Sequence, residues 1–353
     1  AEEVNLRTYN IAVIPGDGIG PELTEAAMTV LNAVEESLGL NLNYTFLEAG
    51  DRCLQKHGVA LPEETVKAIM KAGATLKGPV GETAAAVIVK LRQMLDLYAN
   101  VRPFKSYPNV PCLKPNIDFV IVRENTEDLY KGFEYVLDDV AVSLRVITRA
   151  GSERIAKYAF EEAIRRGVKY KVTAVHKANV LKATCGLFAE TCRSVARKYP
   201  NVLYEELYVD AAAMFLIKKP EDFDVLVTTN MFGDILSDEA AQLVGGLGVA
   251  PSANIGENYG LFEPVHGAAW DIAGRNLANP SSLILAAKMM FEWLGFKNSD
   301  EVCLEAAKII EKSIIEAFRR GYVTQDLGGR LSTNEMGLKI ASLVREAASR
   351  GAI

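Results

Sequence analysis

Histidine and cysteine are scarce in this 353-residue chain, with three of one (His57, His176, His266) and five of the other. The cysteines, Cys53, Cys112, Cys185, Cys192 and Cys303, are odd in number, widely spaced and without a CxxC pair. Neither a disulfide framework nor a zinc site is expected from them. A histidine-built metal cluster lacks its ligands too, so any metal should be held by oxygen. Positive charge is not in excess: the net charge is -6, and lysine and arginine are scattered rather than clustered. That leaves no electrostatic footprint for nucleic acid or an anionic membrane, and neither partner is expected. No apolar run approaches the roughly 20 residues that span a bilayer. Residues 1–10 carry acidic side chains where a secretory signal would carry basic and apolar ones, so the expected address is the cytoplasm.

What is present is a chain 49% hydrophobic and 24% charged, enough for a sizeable core and two domains. Short β-branched runs alternate with helical periods: 10–14 then 21–38, 118–122 then 152–166, 171–176 then 187–198, and 224–229 then 235–244. The alternation predicts an α/β fold with a largely parallel or mixed sheet. In the first helix Pro21 takes the tolerated first position, Leu23, Ala27, Val30, Val34 and Leu38 recur at helical spacing, and Gly39 ends it. Turn-rich stretches at 101–115 and 245–260 are the expected crossings between domains. The two chain ends, 1–99 and 246–353, would then form one domain and 100–245 the other. Polar clusters follow the strands at Gly16 to Gly20, Arg123 to Asn125, Lys177 to Asn179 and Asn230 to Asp234. Strand carboxyl ends form the ligand crevice of open α/β sheets, so these clusters are expected to converge.

Asp234 and Asp238, four apart at the start of a predicted helix, share one face about 5–6 Å apart at Cβ. Acidic residues in a first turn also arise simply by complementing the helix dipole. Asp210, after the strand-like 202–209, would supply a third carboxylate, and an all-oxygen set favours Mg2+ or Mn2+ over zinc. Arg92, Arg102 and Arg123 form a second constellation. Any one alone reads as a surface arginine, whereas three beside a metal site imply an anionic substrate with more than one carboxylate. Lys177 and Tyr130 are an acid–base pair or, taken singly, a salt-bridged lysine and a half-buried tyrosine. The loop Gly16 to Gly20 lacks GxGxxG spacing, and Pro21 follows at once. His266 lies in another glycine-punctuated loop, where a satisfied structural histidine is the ordinary reading.

Six ordered strings span nearly the whole chain: Gly16-Asp-Gly-Ile-Gly-Pro-Glu22, Asp96-Leu-Tyr-Ala-Asn-Val-Arg-Pro103, Val122-Arg-Glu-Asn-Thr126, His176-Lys-Ala-Asn-Val180, Gly233-Asp-Ile-Leu-Ser-Asp238 and Glu263-Pro-Val-His-Gly267. Together they resemble the β-decarboxylating dehydrogenases, the isocitrate/isopropylmalate dehydrogenase family. The resemblance implies a two-domain α/β fold with a mixed central sheet, not the ordinary Rossmann domain. It implies NAD held by loops, with contacts at Ile14, Gly16 and Asn179, and at Glu263, His266, Gly267, Asp271, Ile272 and Asn279. It implies that Arg92, Arg102 and Arg123 grip malate carboxylates, that Asp234 and Asp238 bind Mg2+ or Mn2+, and that Asp210 and Lys177 come from a second subunit. A homodimer is the expected active unit. Lys177 would accept the hydroxyl proton and Tyr130 would protonate the carbon left after carbon dioxide departs. Asp271 stands where the family binds the adenosine ribose, and its charge would repel a 2′-phosphate, so NAD is expected rather than NADP. Trp270 departs from the proline usual there.

Ile88 and Val89 lie four and three residues before Arg92, so an α-helix would set an apolar wall beside the bound carboxylate. An isopropyl group would bury there favourably and a third carboxylate would find no partner. The expected reaction is therefore oxidative decarboxylation of 3-isopropylmalate, as in leucine biosynthesis, with isocitrate or homoisocitrate as alternatives. Plain helix-core packing is the ordinary reading of both residues. A Mg-dependent phosphotransferase is the rival from another class, but the G-x-x-x-x-G-K-[ST] loop it needs is missing.

Overall fold

The computed structural model describes residues 8–351; residues 1–7, on which part of the targeting expectation rests, lie outside the described residues. The strands are β1 (Thr8–Ile14), β2 (Asn41–Phe46), β3 (Ala74–Lys77), β4 (Ala99–Lys105), β5 (Asp118–Glu124), β6 (Glu134–Leu137), β7 (Val140–Ser143), β8 (Lys171–His176), β9 (Leu203–Tyr208), β10 (Val225–Thr228), β11 (Pro251–Ile255) and β12 (Gly260–Pro264). The helices are α1 (Gly20–Leu38), α2 (Asp51–His57), α3 (Glu63–Lys71), α4 (Lys90–Met94), α5 (Arg149–Arg166), α6 (Thr184–Ala196), α7 (Val209–Lys218), α8 (Asn230–Val244), α9 (Ser281–Asn298), α10 (Glu301–Arg319) and α11 (Thr333–Arg350). Among the described residues no helix is long and apolar enough to cross a membrane.

Ten strands form one mixed sheet in the order β2-β1-β3-β12-β11-β4-β5-β10-β8-β9, and β6 with β7 forms a separate hairpin. Both flanks are parallel, β2-β1-β3-β12 and β5-β10-β8-β9, whereas β12-β11-β4-β5 runs antiparallel through the middle. The stretches expected as turn-rich crossings thus hold two central strands. Their proline and glycine content concealed β4 and β11. β11 pairs with β4 only at Ala99, Asn100 and Val101. Beyond them β4 is free of β11, and there Pro103, without an N–H, is tolerated.

Helix α1 follows its sequence pattern: Leu23, Ala27, Val30 and Val34 are buried, and Gly39 ends it in the left-handed conformation at φ 66°. Other helices begin earlier than apolar periodicity indicates. Thr148 caps α5 by accepting a hydrogen bond from Gly151 N, which starts that helix at Arg149. α8 starts at Asn230, so Asp234 and Asp238 stand in its second and third turns rather than at its beginning.

Strand alternation sorts side chains onto two faces. Phe104, Phe119 and Ile121 form a floor with Leu236, Ala240 and Ala241 of α8. Val101, Pro103, Val120, Ala253 and Ile255 point to the opposite face, toward α5 and α9. Each phenylalanine in the floor contributes about 1.5–3 kcal/mol by burial, and this packing fixes α8 over the sheet.

Candidate active site

Arg102 on β4 and Arg123 on β5 share the α8 side of the sheet with the phenylalanine floor. Arg123 is 1% exposed; its Nη1 donates to Asp234 Oδ1 at 3.0 Å. A Cβ on Gly233 would lie 2.6 Å from Arg123 Cγ, so glycine there lets α8 close on the arginine. Arg102 Nη1 donates to Ser237 Oγ at 2.7 Å and lies 3.6 Å from Asp234 Oδ1. Tyr130 donates its hydroxyl to Asp234 Oδ2 at 2.8 Å, and the Arg123 guanidinium lies 5.2 Å from its ring centroid. Arg92 on α4 is also buried, and its Nε donates to Asn254 Oδ1 at 2.9 Å. The arginine trio, Tyr130 and Asp234 are thus brought together.

The electrostatics record an excess of buried positive charge. Arg92 and Arg102 are pushed below the ordinary arginine value by burial and then by neighbouring guanidiniums. Burial raises Asp234, yet Arg123 and Arg102 pull its carboxyl below the usual range. Asp238 moves the other way, pushed up by burial and by Asp234 despite Arg102. Burial also raises the Tyr130 hydroxyl, with Asp234 adding to the effect and Arg123 opposing it, so the phenol keeps its proton.

The remaining expected residues are placed elsewhere. Lys177 donates to Asp210 Oδ1 at 2.6 Å within the same chain, and no recorded bond joins either residue to Asp234 or the arginines. Among the described residues no group of three or more His, Cys, Asp or Glu side chains could hold a metal. Asp234 and Asp238 lie four residues apart on α8, and no third such side chain joins them among the described residues. Asn179 is exposed. Residues Ala85–Val89 form a π-helical turn leading into α4, so the α-helical register assumed for Ile88, Val89 and Arg92 does not hold. Ile88 is buried in a core cluster with Ile14, Val87 and Leu91, and Val89 is half-buried against it.

The two loops expected to hold a cofactor are knitted into one structure. Ile19 N donates to Ala268 O at 2.8 Å, and Glu22 accepts from Gly274 N and Asn276 N, both at 2.8 Å. Gly16, at φ +76°, packs against the Pro79 carbonyl, which a Cβ would approach to 2.1 Å. Asp17 is structural: its carboxylate accepts from Asp51 N, Arg52 N and Gly81 N. Ile14 is fully buried, and its carbonyl accepts from Gly78 N at 2.7 Å. Asn279 is tied to Asp326 at 3.0 Å and to Ser281 N at 2.9 Å.

Other parts of the loop are open to a ligand. His266 Nδ1 donates to Gly267 O at 3.0 Å, which leaves Nε2 buried without a partner among the described residues. Burial keeps this ring neutral, so Nε2 is an acceptor. Nothing lies within 4 Å of a Cβ placed on Gly267, Asp271 is exposed, and Ile272 is half-buried. Arg52 sits 5.8 Å over the exposed Trp270, filling the place of the departure noted in the sequence. Sequence reasoning missed Lys77, buried on β3 with its Nζ 3.9 Å from Glu263 Oε2 and pushed down by burial. Its one signal was a lysine ending an apolar run before Gly78 and Pro79.

A mixed-sheet α/β protein with a buried arginine cluster, a tethered tyrosine and two glycine-bearing loops has the parts of an enzyme acting on an anionic substrate. Residues 10–340 match the family described as Isocitrate/isopropylmalate dehydrogenase. The chain is 55% identical over 334 residues to a 3-isopropylmalate dehydrogenase of Archaeoglobus fulgidus, covering 95% of this chain and 99% of that one. It is 48% identical over 331 residues to an isocitrate/homoisocitrate dehydrogenase of Thermus thermophilus, covering 92% and 95%. A crystal structure of isocitrate dehydrogenase from Methylococcus capsulatus superposes with a TM-score of 0.88 at 43% identity, covering 96% and 99%. The chain belongs to the isocitrate/isopropylmalate dehydrogenase family and is an oxidoreductase.

Proposed function

We propose that this enzyme converts (2R,3S)-3-isopropylmalate and NAD to 2-oxo-4-methylpentanoate, carbon dioxide and NADH, serving leucine biosynthesis in the cytoplasm. The observation that carries the reading is the trio of buried arginines, two of which share Asp234 as counter-charge. A ligand with more than one carboxylate would balance that excess. The name of the Archaeoglobus fulgidus relative supports this substrate over the others.

Arg92, Arg102 and Arg123 hold the acid's carboxylates and so aim its hydroxyl carbon toward the cofactor loops. Lys177 of the partner subunit takes the hydroxyl proton. Tyr130, held by Asp234 and kept protonated by burial, delivers a proton to the carbon from which carbon dioxide departs. Asp234 and Asp238, with Asp210 of the partner subunit, would hold Mg2+ or Mn2+. When bound, that ion polarises the substrate's oxygen and NAD accepts hydride. Glu263, His266, Gly267, Asp271 and Ile272 would hold NAD, His266 Nε2 being an acceptor in want of a donor. Exposed Asp271 disfavours a 2′-phosphate. Val89, half-buried against the core that holds Ile88, would offer apolar surface to the isopropyl group.

Sharing of sites between two subunits is supported by surface chemistry. Tyr135, Val136, Leu137 and Val140 of the β6–β7 hairpin are exposed, as are Met214 and Ile217 of α7 and Ile235 of α8. Apolar surface on this scale marks an interface. Asp210 lies on α7, beside that patch. The division into a domain of both chain ends, 1–99 with 246–353, and a middle domain of 100–245 follows the strand order, with β11 against β4 as the seam.

The test is kcat/KM for 3-isopropylmalate, isocitrate and homoisocitrate with NAD and Mn2+, followed as NADH formation. 3-Isopropylmalate is expected to lead, and a preference of about a hundredfold for either tricarboxylate overturns the substrate.

A further inference from the structure

The arginine cluster is held from behind by neutral amides. Asn254, on β11 and fully buried, accepts at Oδ1 from Arg92 Nε at 2.9 Å, Asn125 Nδ2 at 3.0 Å and Asn100 Nδ2 at 3.3 Å. Its Nδ2 donates to Leu261 O at 3.3 Å and Glu263 Oε2 at 3.4 Å. An arginine Nε–H only donates, so the amide has one sense: oxygen toward Arg92, nitrogen toward Glu263. Asn230, at the start of α8 and also fully buried, repeats the device. Its Oδ1 accepts from Arg123 Nε at 2.9 Å, and its Nδ2 donates to Glu127 O at 3.2 Å. Arg102 has no such holder, and its buried Nε is without a partner among the described residues.

We propose that Asn254 and Asn230 are positioning residues that fix Arg92 and Arg123 through their Nε edges with uncharged acceptors, so that these anchors neutralise none of the charge offered to the acid beyond what Asp234 already balances at Arg123. A carboxylate in either place would hold the arginine as firmly, since arginine–carboxylate geometry is favourable. It would also cancel the charge that recruits the substrate. At Asn254 it would further set a second anion against Glu263. The inference rests on the reading of the arginines as carboxylate holders. It adds that the neutrality of their anchors, and not only their presence, determines affinity for the acid.

Asn254→Asp is isosteric, replacing the neutral amide with an ionisable carboxyl and, while it is charged, removing the donor to Leu261 O and Glu263. With NAD and Mn2+, its KM for 3-isopropylmalate, or for whichever of the three acids the parent prefers, should rise about tenfold or more, the effect of disturbing a hydrogen bond to a charged group. KM for NAD should change less. Acidification should bring the acid's KM back toward the parent's, because a protonated carboxyl again offers a carbonyl to Arg92 and a donor to Glu263. Asn254→Ala should raise KM at every pH without that recovery, a contrast that a merely structural role does not produce. An unchanged acid KM in folded Asn254→Asp, or one that worsens on acidification, overturns the inference. Should circular dichroism show that this variant does not fold, Asn230→Asp carries the same measurement through Arg123. A parent that turns over none of the acids overturns the substrate reading, and this inference with it.

Discussion

Charge lies on both faces of the sheet at β4 and β5, and the two faces treat it differently. On the α8 side Arg123 and Arg102 share Asp234, at 3.0 Å and 3.6 Å, while buried Arg92 has no ion pair among the described residues and feels Glu263 and Asp234 only from farther off. On the opposite side, α5 and α9 enclose a cleft of about 540 Å3 in which positive groups meet negative ones. Lys288 lies 2.5 Å from Glu292 and 3.7 Å from Glu311, Arg165 lies 2.6 Å from Glu162, and Arg166 lies 2.9 Å from Asp224. Desolvating paired charge is compatible with a stable fold, whereas buried like charge costs stability unless something else supplies the counter-charge. The imbalance, rather than the abundance of charge, therefore separates the site from the scaffold.

The sharpest way to break the comparison is to remove one charge from each face. Arg102→Met deletes a buried cation whose Nε has no partner among the described residues. It should lower kcat/KM about a thousandfold by loss of a charged contact to the acid. Thermal stability should hold or rise, since the buried cation no longer needs desolvating. A variant that loses stability but keeps kcat/KM would show Arg102 to be scaffold.

Lys288→Met is the mirror experiment. It strands Glu292 and leaves Glu311 with Lys105 alone, and because both carboxylates are partly exposed it should cost about 1 kcal/mol in urea unfolding while leaving kcat within about threefold. The pH dependence has a definite sign. Burial pushes Glu292 up, with Lys288 partly offsetting it. Burial also acts to raise Glu311, but Lys288 and Lys105 hold it below the usual range. Glu311 therefore stabilises the parent above the carboxylate range and loses that contribution as pH falls through its depressed value. In the variant Glu292 is costly when charged and harmless when protonated, and Glu311 keeps Lys105 as its one remaining cation of the two. The stability gap should be widest at alkaline pH and narrow on acidification, and a gap that widens instead would contradict the pairing.

A ligand should supply the counter-charge missing from the α8 side. D-malate, the dicarboxylate common to the candidate acids, should raise the melting temperature of the parent, by about 2.7 kcal/mol of stabilisation at a hundredfold excess over Kd. Arg102→Met should lose most of that gain and Lys288→Met should keep it. Equal gains in all three proteins would place the anion elsewhere.

What the sequence disclosed of this contrast follows from what local pattern can encode. The two aspartates four apart and the helix from Pro21 to Leu38 were legible because spacing alone sets their geometry, whereas the three arginines, on α4, β4 and β5, were joined by the family resemblance rather than by spacing. Asn254 was not, because its bond to Arg92 joins residues 162 positions apart. Lys77 and Asn100 are polar groups inside buried strands, without the alternation that marks an exposed face. β4 and β11 read as turns in the sequence because Pro103 and the glycines flanking β11 mask strands whose pairing is long-range. The π-helical turn at Ala85–Val89 shifted the register on which the substrate wall was argued, and apolar spacing does not distinguish it from α-helix. Lys177 and Asp210 pair with each other in a single chain, so their expected part in the site requires a second copy.

Ionic strength should separate the two faces most gently. Salt screens attraction over distances beyond the Debye length, about 10 Å at 0.1 M, and scarcely affects groups already in contact and shielded from water. The acid reaches Arg92, Arg102 and Arg123 from solution, so its KM should rise by a few-fold between about 0.05 M and 0.5 M salt. Glu292, Lys288 and Glu311 are packed between α9 and α10, and Asp224 is fully buried against Arg166. Over the same range the melting temperature should move by no more than a degree or two. A flat KM with a falling melting temperature would invert the assignment. The α8 side would then hold its charge already balanced, and the opposite cleft would be the region that depends on ions from solution.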